Sequence, residues 1–108
     1  MAQGVLRIEG LPKGALDAAA AFHAEWLMKA RALLDPPHAR KDLVIVFPAA
    51  PFDHRGWRLA AVQDLARASA AQRINAVSGD DERAIEETIA WLATAPGVTG
   101  QVLEVGCD

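Results

Sequence analysis

The sequence predicts a small α/β fold: a Rossmann-like parallel sheet of four strands with three helices, in the order β-α-β-α-β-α-β. Short apolar runs alternate along the chain with longer stretches in which apolar residues recur every three or four positions. The run LVIVF at residues 43–47 contains no polar residue and is rich in β-branched side chains, which is typical of a parallel strand buried on both faces. With 108 residues, 52% hydrophobic and 23% charged, the chain suits one domain spanning residues 1–108.

The four strands are justified by composition and by the breakers that follow them. In GVLRIEG, Val5 and Arg7 would lie on one face of a strand and Leu6 and Ile8 on the other, which predicts a weak first strand. This strand ends before Pro12 and Gly14. RINAV is predicted to form the third strand and QVLEV the last. The predicted strands cover residues 4–10, 43–47, 73–77 and 101–105.

Two helices are predicted at about residues 14–34 and 57–71, and a third follows the third strand and ends at Ala95-Pro96-Gly97; each has an apolar face. Asp35-Pro36-Pro37 ends the first helix, since proline cannot continue its hydrogen bonding. Ser78 or Asp80 is expected to cap the third helix. The expected inward residues are Leu16, Ala20, His23, Leu27, Ala30 and Leu34 on the first helix, Leu59, Val62, Leu65 and Ala66 on the second, and Ile85, Ile89 and Leu92 on the third.

The covering of the sheet has two solutions. Right-handed connections between neighbouring parallel strands place successive helices on one face, which leaves a two-layer structure with the other face of LVIVF exposed. Either one helix crosses to that face and completes three layers, or a second copy of the chain covers it. The second solution predicts a homo-oligomer.

Composition disfavours several classes of function. The net charge of −3, without a basic block, makes nucleic acid an unexpected partner. No apolar run reaches the length of a membrane span, and the single cysteine, Cys107, agrees with a cytoplasmic location. His23, His38 and His54 have no ligand spacing, so no metal site is expected.

Three segments resemble the C-terminal part of the short-chain dehydrogenases/reductases, particularly of pteridine-reductase-like members. They are RINAV at residues 73–77, ETIAWLATAP at 87–96 and GVTGQVLEV at 97–105. The segment LVIVFPAA at 43–50 looks like the strand that delivers the catalytic serine of that family. The resemblance is strongest over residues 73–105, looser over 4–72, and corresponds to about the second half of a full-length member.

The departures from the family's pattern concern its chemistry. The chain shows no Gly-rich turn for a dinucleotide, and Pro48, Ala49 or Ala50 stands where the serine is expected. The family's Tyr-x-x-x-Lys pair has no tyrosine here; its best-placed substitute is His54-x-x-x-Arg58, with Gly56 between them. Ser78-Gly79 replaces a Pro-Gly pair, and a helix follows at once where the family has a substrate loop.

Three functions follow from this comparison as hypotheses. The first is a non-catalytic, degenerate domain without a cofactor, which associates with itself or with a full-length relative. The second is an NAD(P)-dependent oxidoreductase with His54 and Arg58 as its catalytic pair and an atypical or shared cofactor site. The third is a small-ligand binder at the carboxyl edge of the sheet. The candidate cofactor residues are Ser78, Gly79 and Asn75, and the candidate ligand-binding residues are Pro48, Ala49, Ser78 and Gly79.

The tryptophans give a candidate interface. In full-length relatives, as the resemblance implies, the first two helices of this chain would belong to a four-helix bundle between subunits. Trp26 and Trp57 lie on those helices, and tryptophan is enriched where interfaces hold most of their binding energy. The alternative for both rings is that they fill the core of one chain.

Overall fold

A computed structural model describes residues 3–34 and 42–106 and contains the predicted β-α-β-α-β-α-β order. The strands are β1 (Gly4–Arg7), β2 (Leu43–Phe47), β3 (Ile74–Ser78) and β4 (Val102–Glu104). The helices are α1 (Ala15–Ala21), a π-helical turn (Phe22–Trp26), α2 (Leu27–Leu34), a 3-10 turn (Phe52–His54), α3 (Arg55–Ala68) and α4 (Glu82–Ala93). Asp35-Pro36-Pro37, His38 and Cys107 lie outside the described residues.

The four strands form one parallel sheet in the order β1-β2-β3-β4. This confirms the predicted Rossmann-like α/β fold. Strand β1 is three residues shorter than predicted, and β3 runs one residue further toward Ser78. No helix in the described residues is long and apolar enough to cross a membrane.

Every residue of β2 is buried, so this strand has apolar neighbours on both faces of the sheet. Leu43, Ile45 and Phe47 belong to a core cluster with residues of the π turn, α2 and α3. Val44 and Val46 point the other way and pack in a second cluster with α4. The alternation of the strand therefore divides the core into two layers, one on each side of the sheet.

Helix α4 is the helix that crosses to the other face. Its Ile85 and Leu92 pack with Val44, Val46 and Val77, whereas α1, α2 and α3 cover the opposite side. Since the strands lie in sequence order, the connection through α4 must have the opposite hand from the first two connections. The structure is three-layered, and β2 is covered without a second copy of the chain.

The predicted inward face of the first helix is partly wrong. The residues turned inward recur every four positions, at Ala18, Phe22, Trp26, Ala30 and Leu34, while Leu16, Ala20 and His23 are exposed. An uninterrupted α-helix has 3.6 residues per turn, so a four-residue period drifts around its axis. The wider π turn between α1 and α2 offsets that drift and keeps one face on the sheet.

The second helix begins earlier than predicted, at Arg55, and a 3-10 turn over Phe52–His54 precedes it. Gly56 therefore lies inside the helix rather than at its boundary. The inward side chains include Val62 and Leu65 as expected, but also Arg58. Leu59, predicted to be inward, is partly exposed.

The cap of α4 is Asp81, so the expectation of Ser78 or Asp80 is wrong. The Oδ1 atom of Asp81 accepts hydrogen bonds from the backbone N–H groups of Arg83 (3.1 Å) and Ala84 (3.2 Å). Ser78 is still within β3, and Asp80 uses its carboxylate elsewhere. One aspartate thus satisfies two backbone donors that the first turn of a helix leaves without partners.

Arg73 joins three elements at the amino end of the sheet. Its Nε and Nη2 atoms contact Oδ2 of Asp42 at 2.9 and 2.8 Å, just before β2. Its Nη1 donates to the carbonyl oxygens of Leu92 and Ala95 at the end of α4. A guanidinium at the negative end of a helix also interacts favourably with the helix dipole.

Replacement of Arg73 by alanine should lower the free energy of unfolding by about 2 kcal/mol, because several charge-assisted hydrogen bonds are lost in a partly buried place. Urea denaturation followed by circular dichroism measures this change. Arg83→Ala is the matched control, because the Arg83–Glu87 pair is exposed and should contribute no more than about 0.5 kcal/mol. Equal losses in the two variants would contradict the role given to Arg73.

Candidate functional site

A cavity of about 290 Å³ lies at the carboxyl edge of the sheet, where ligands of open α/β folds usually bind. Its apolar lining comes from the segments that follow β1 and β2. Lys13, His54 and Arg58 complete the lining, so the cavity includes both members of the predicted catalytic pair. The apolar lining residues are Leu11, Pro12, Pro48, Ala49, Ala50 and Pro51.

His54 is buried and both of its ring nitrogens have partners within the chain. Trp57 Nε1 donates to Nδ1 over 3.2 Å, and Nε2 lies 2.9 Å from the carbonyl oxygen of Lys13. Indole N–H is only a donor, so Nδ1 accepts and Nε2 carries the proton that it donates to Lys13. The ring is therefore a neutral connector between the start of α3 and the loop after β1.

Arg58 is buried to the same extent, with 4% of its surface exposed, and is not the helix-surface residue that a polar side chain at this position suggests. Its Nη1 donates to the carbonyl oxygen of Pro48 (2.9 Å) and to Oγ of Ser78 (3.1 Å). Its guanidinium carbon lies 4.6 Å from the centre of the Phe47 ring. These contacts link α3 to the ends of β2 and β3.

The charge of Arg58 is poorly compensated. Burial lowers the pKa of its guanidinium from the ordinary value, and the charge of Glu104 acts in the opposite direction. Among the described residues, however, no carboxylate lies within ion-pairing distance of Arg58. Its Nε is buried without a hydrogen-bond partner there.

Ser78 and Gly79 close the end of β3 against its neighbours. Gly79 N donates to the carbonyl oxygen of Phe47 (3.1 Å), and Val105 N donates to that of Ser78 (2.9 Å). A Cβ atom at Gly79 would lie 2.4 Å from the carbonyl oxygen of Val105, so only glycine fits this contact. The glycine is explained by the close approach of two strand ends.

The turn after β3 is short, and one of its side chains forms a hydrogen bond with the segment that follows β2. The backbone N–H of Ala49 donates to Oδ1 of Asp80 over 3.2 Å. Asp81 already caps α4, so the chain passes from β3 into the helix within three residues. This connection agrees with the predicted absence of a long loop over the site.

Asn75, the third candidate for cofactor binding, is the second residue of β3 and lies toward the amino end of the sheet, three residues before Ser78. Its Nδ2 donates to the carbonyl oxygen of Val98 (2.9 Å), and its Oδ1 accepts from the backbone N–H of Gln101 (3.1 Å). Both ends of the amide therefore hold the segment that leads into β4.

The polar groups of the three candidate cofactor residues are used by the chain itself. Ser78 Oγ accepts from Arg58, Gly79 faces Val105, and Asn75 is bound at both ends. As they stand, these residues do not fit a dinucleotide. The predictions of a catalytic pair and of an atypical cofactor site remain predictions, but any such site would have to break these contacts.

The two candidate interface tryptophans both pack partly against the core. Trp57 lies in an aromatic group with Phe22 and Phe47, with ring centres 5.5 and 5.6 Å away. Trp26 packs beside the same core cluster, and its ring is covered by the ammonium group of Lys29 at 4.3 Å. Each ring thus fills the core on one side and retains some exposed surface on the other.

The sequence did not reveal that His54 and Arg58 are buried, since neither residue type is common in a core. For His54, the signal that could have found it is Trp57, whose N–H needs an acceptor when its ring is covered. No group of three or more metal-ligating side chains occurs in residues 3–34 and 42–106.

A family model described as a short chain dehydrogenase-like protein matches residues 6–105, which is most of the chain. A search of curated proteins found no significant match, and neither did a search of solved structures.

Replacement of Gly79 by alanine should destabilise the protein by about 1–3 kcal/mol, because the new methyl group overlaps a backbone oxygen. Urea denaturation measures the change. Gly97→Ala is the matched control: nothing lies within 4 Å of its added carbon, so its effect should stay within about 0.5 kcal/mol. A Gly79→Ala variant as stable as the control would show that β3 and β4 do not meet as closely as described.

Proposed function

Because the chain belongs to the short chain dehydrogenase-like family, we propose that it is a non-catalytic member that works as a self-associating subunit. The observation that carries the first half of the proposal is the state of His54. Both ring nitrogens of the residue best placed to act as a base hold other parts of the chain together. A general base needs a nitrogen that can take a proton from a substrate.

Arg58 supports the same conclusion. A cation that activates a neighbouring base must act on it, yet the hydrogen bonds of Arg58 run to Pro48 and Ser78 and not to His54. His54, in the 3-10 turn, and Arg58, in α3, hold different loops in place. We infer that these residues stabilise the carboxyl edge of the sheet.

The self-association half of the proposal rests on the helical layer formed by α1, α2 and α3. Of the six large apolar side chains exposed in the described residues, four lie on or beside these helices: Leu16, Met28, Phe52 and Leu59. A groove of about 320 Å³ runs between the first helix and α3, with Arg31 and Asp64 among its lining residues. None of the four lines the groove, so the proposed interface combines the groove with exposed apolar side chains elsewhere on the same layer.

A second copy of the chain is the occupant that this surface favours. In a twofold interface the same patch meets itself, so a patch that carries both signs of charge can be complementary to itself. Arg31 of one copy could then face Asp64 of the other, although Asp64 also pairs with Arg67 on its own helix. Trp26 and Trp57 belong to the helices of this layer and remain the proposed interface aromatics.

An oxidoreductase that uses NAD(P) is the alternative function, and one observation favours it. His54 and Arg58 line the same cavity at the edge of the sheet where the chemistry of this fold is usually found. For catalysis, His54 would have to release Trp57 or Lys13, and Arg58 would have to turn from Pro48 and Ser78. The self-association proposal requires no such rearrangement.

Light scattering coupled to size-exclusion chromatography tests the association. The protein should have the mass of a dimer or a larger oligomer, and Met28→Glu should weaken the assembly at least about tenfold, because it buries a charge in the interface. Trp91→Glu is the matched control, since Trp91 is 53% exposed but lies on α4, on the other face of the sheet. The oligomer mass of the Trp91→Glu variant should equal that of the wild-type protein.

The charge arrangement has its own test. Arg31→Glu should weaken the oligomer, and the double variant Arg31→Glu/Asp64→Arg should restore it, because the opposite signs face each other again. A monomeric wild-type protein, or an oligomer disrupted only by Trp91→Glu, would contradict the proposed surface. In the second case α4 would form the interface.

A further inference from the structure

Arg58 presents a problem that its structural contacts do not resolve. Burying a cation is costly unless an anion or a full set of hydrogen bonds accompanies it. Glu104 lies close enough to affect its pKa but makes no ion pair with it, and no other carboxylate in the described residues does so. A neutral side chain could fill the same space at a lower desolvation cost.

The unused part of the guanidinium has a definite shape. Both hydrogen bonds of the guanidinium to the described residues leave from Nη1, and Nε is buried without a partner. Nε and Nη2 form one edge of the planar group, and two parallel N–H groups on such an edge match the two oxygens of a carboxylate. Arg58 therefore retains the edge that recognises a bidentate anion.

The cavity beside Arg58 has the corresponding chemistry. None of its nine lining residues is acidic, and Lys13 adds a second positive charge at its rim. The other walls are apolar, which suits a ligand with both a charged and an apolar part.

The size of the cavity limits that ligand. At about 290 Å³ it lies just below the range of pockets for drug-sized molecules and is too small to enclose a dinucleotide. Inorganic phosphate would leave the apolar walls without contacts. A short-chain carboxylate would place its charge on Arg58 and its carbon chain against the prolines and alanines.

We propose that this cavity binds a small organic carboxylate, held bidentately by Arg58 with its apolar chain against the loop at residues 48–51. Nε is shielded from water, so the groups that cover it must shift to let the carboxylate reach it. This loop is exposed and follows β2 directly. The site lies at the sheet edge and does not depend on the proposed self-association.

The test is a nuclear magnetic resonance titration of ¹⁵N-labelled protein with sodium butyrate, in which the Nε–H signal of Arg58 is followed. We expect a saturable shift with a dissociation constant below about 10 mM, accompanied by shifts in the backbone signals of Ala49 and Ala50. Sodium chloride at matched ionic strength, and 1-butanol, should leave the Arg58 signal in place. An unchanged Nε–H signal in butyrate, or an equal response to chloride or butanol, would overturn the proposal.

Two variants separate the site from a general charge effect. Ala50→Phe fills the cavity from an exposed position and should weaken butyrate binding at least about tenfold, whereas Ala24→Phe, on the exposed side of the first helix, should not change it. Arg58→Lys keeps the charge but not the two parallel donors, and it should lose a similar factor. If Arg58→Lys does not fold, the Ala50→Phe and Ala24→Phe pair still decides, because equal binding by both would overturn the proposal.

Discussion

The burial of β2 on both faces is the constraint on which the rest of the structure depends. Five consecutive apolar residues cannot be covered from one side, since their side chains alternate between the faces. Helices α1, α2 and α3 cover one face, and α4 must then cross to the other. The chain meets the requirement by itself, through a connection of opposite hand.

This crossing shapes the edge of the sheet where a catalytic site would be expected. To reach the other face, the chain leaves β3 through a three-residue turn and enters α4 at the Asp81 cap. Gly79 packs closely against the backbone of Val105, and the carboxylate of Asp80 accepts a hydrogen bond from the backbone N–H of Ala49. The connection above β3 is thus a short turn and not a long loop, and Arg58 holds the ends of β2 and β3 together from the side of α3.

The strand positions and the order of elements could be predicted from the sequence because they depend on local composition. LVIVF, for example, favours a buried strand over any other structure. The faces of the first helix did not follow, because a π turn at Phe22–Trp26 depends on packing against the sheet and has no local signal. The crossing of α4 is a property of the whole sheet, which no single segment encodes. The family pattern drew attention to His54 and Arg58, but their burial and their separate partners depend on tertiary contacts with Lys13, Pro48 and Ser78.

A fluorescence titration of NADPH and of NADH into the purified protein tests the central claim, that this member of the family has no catalytic cofactor site. Because Ser78, Gly79 and Asn75 are held by internal contacts, we expect no saturable binding up to about 1 mM of either nucleotide. Saturable binding in the micromolar range would contradict the claim. It would show that the contacts of His54 and Arg58 open to admit a cofactor.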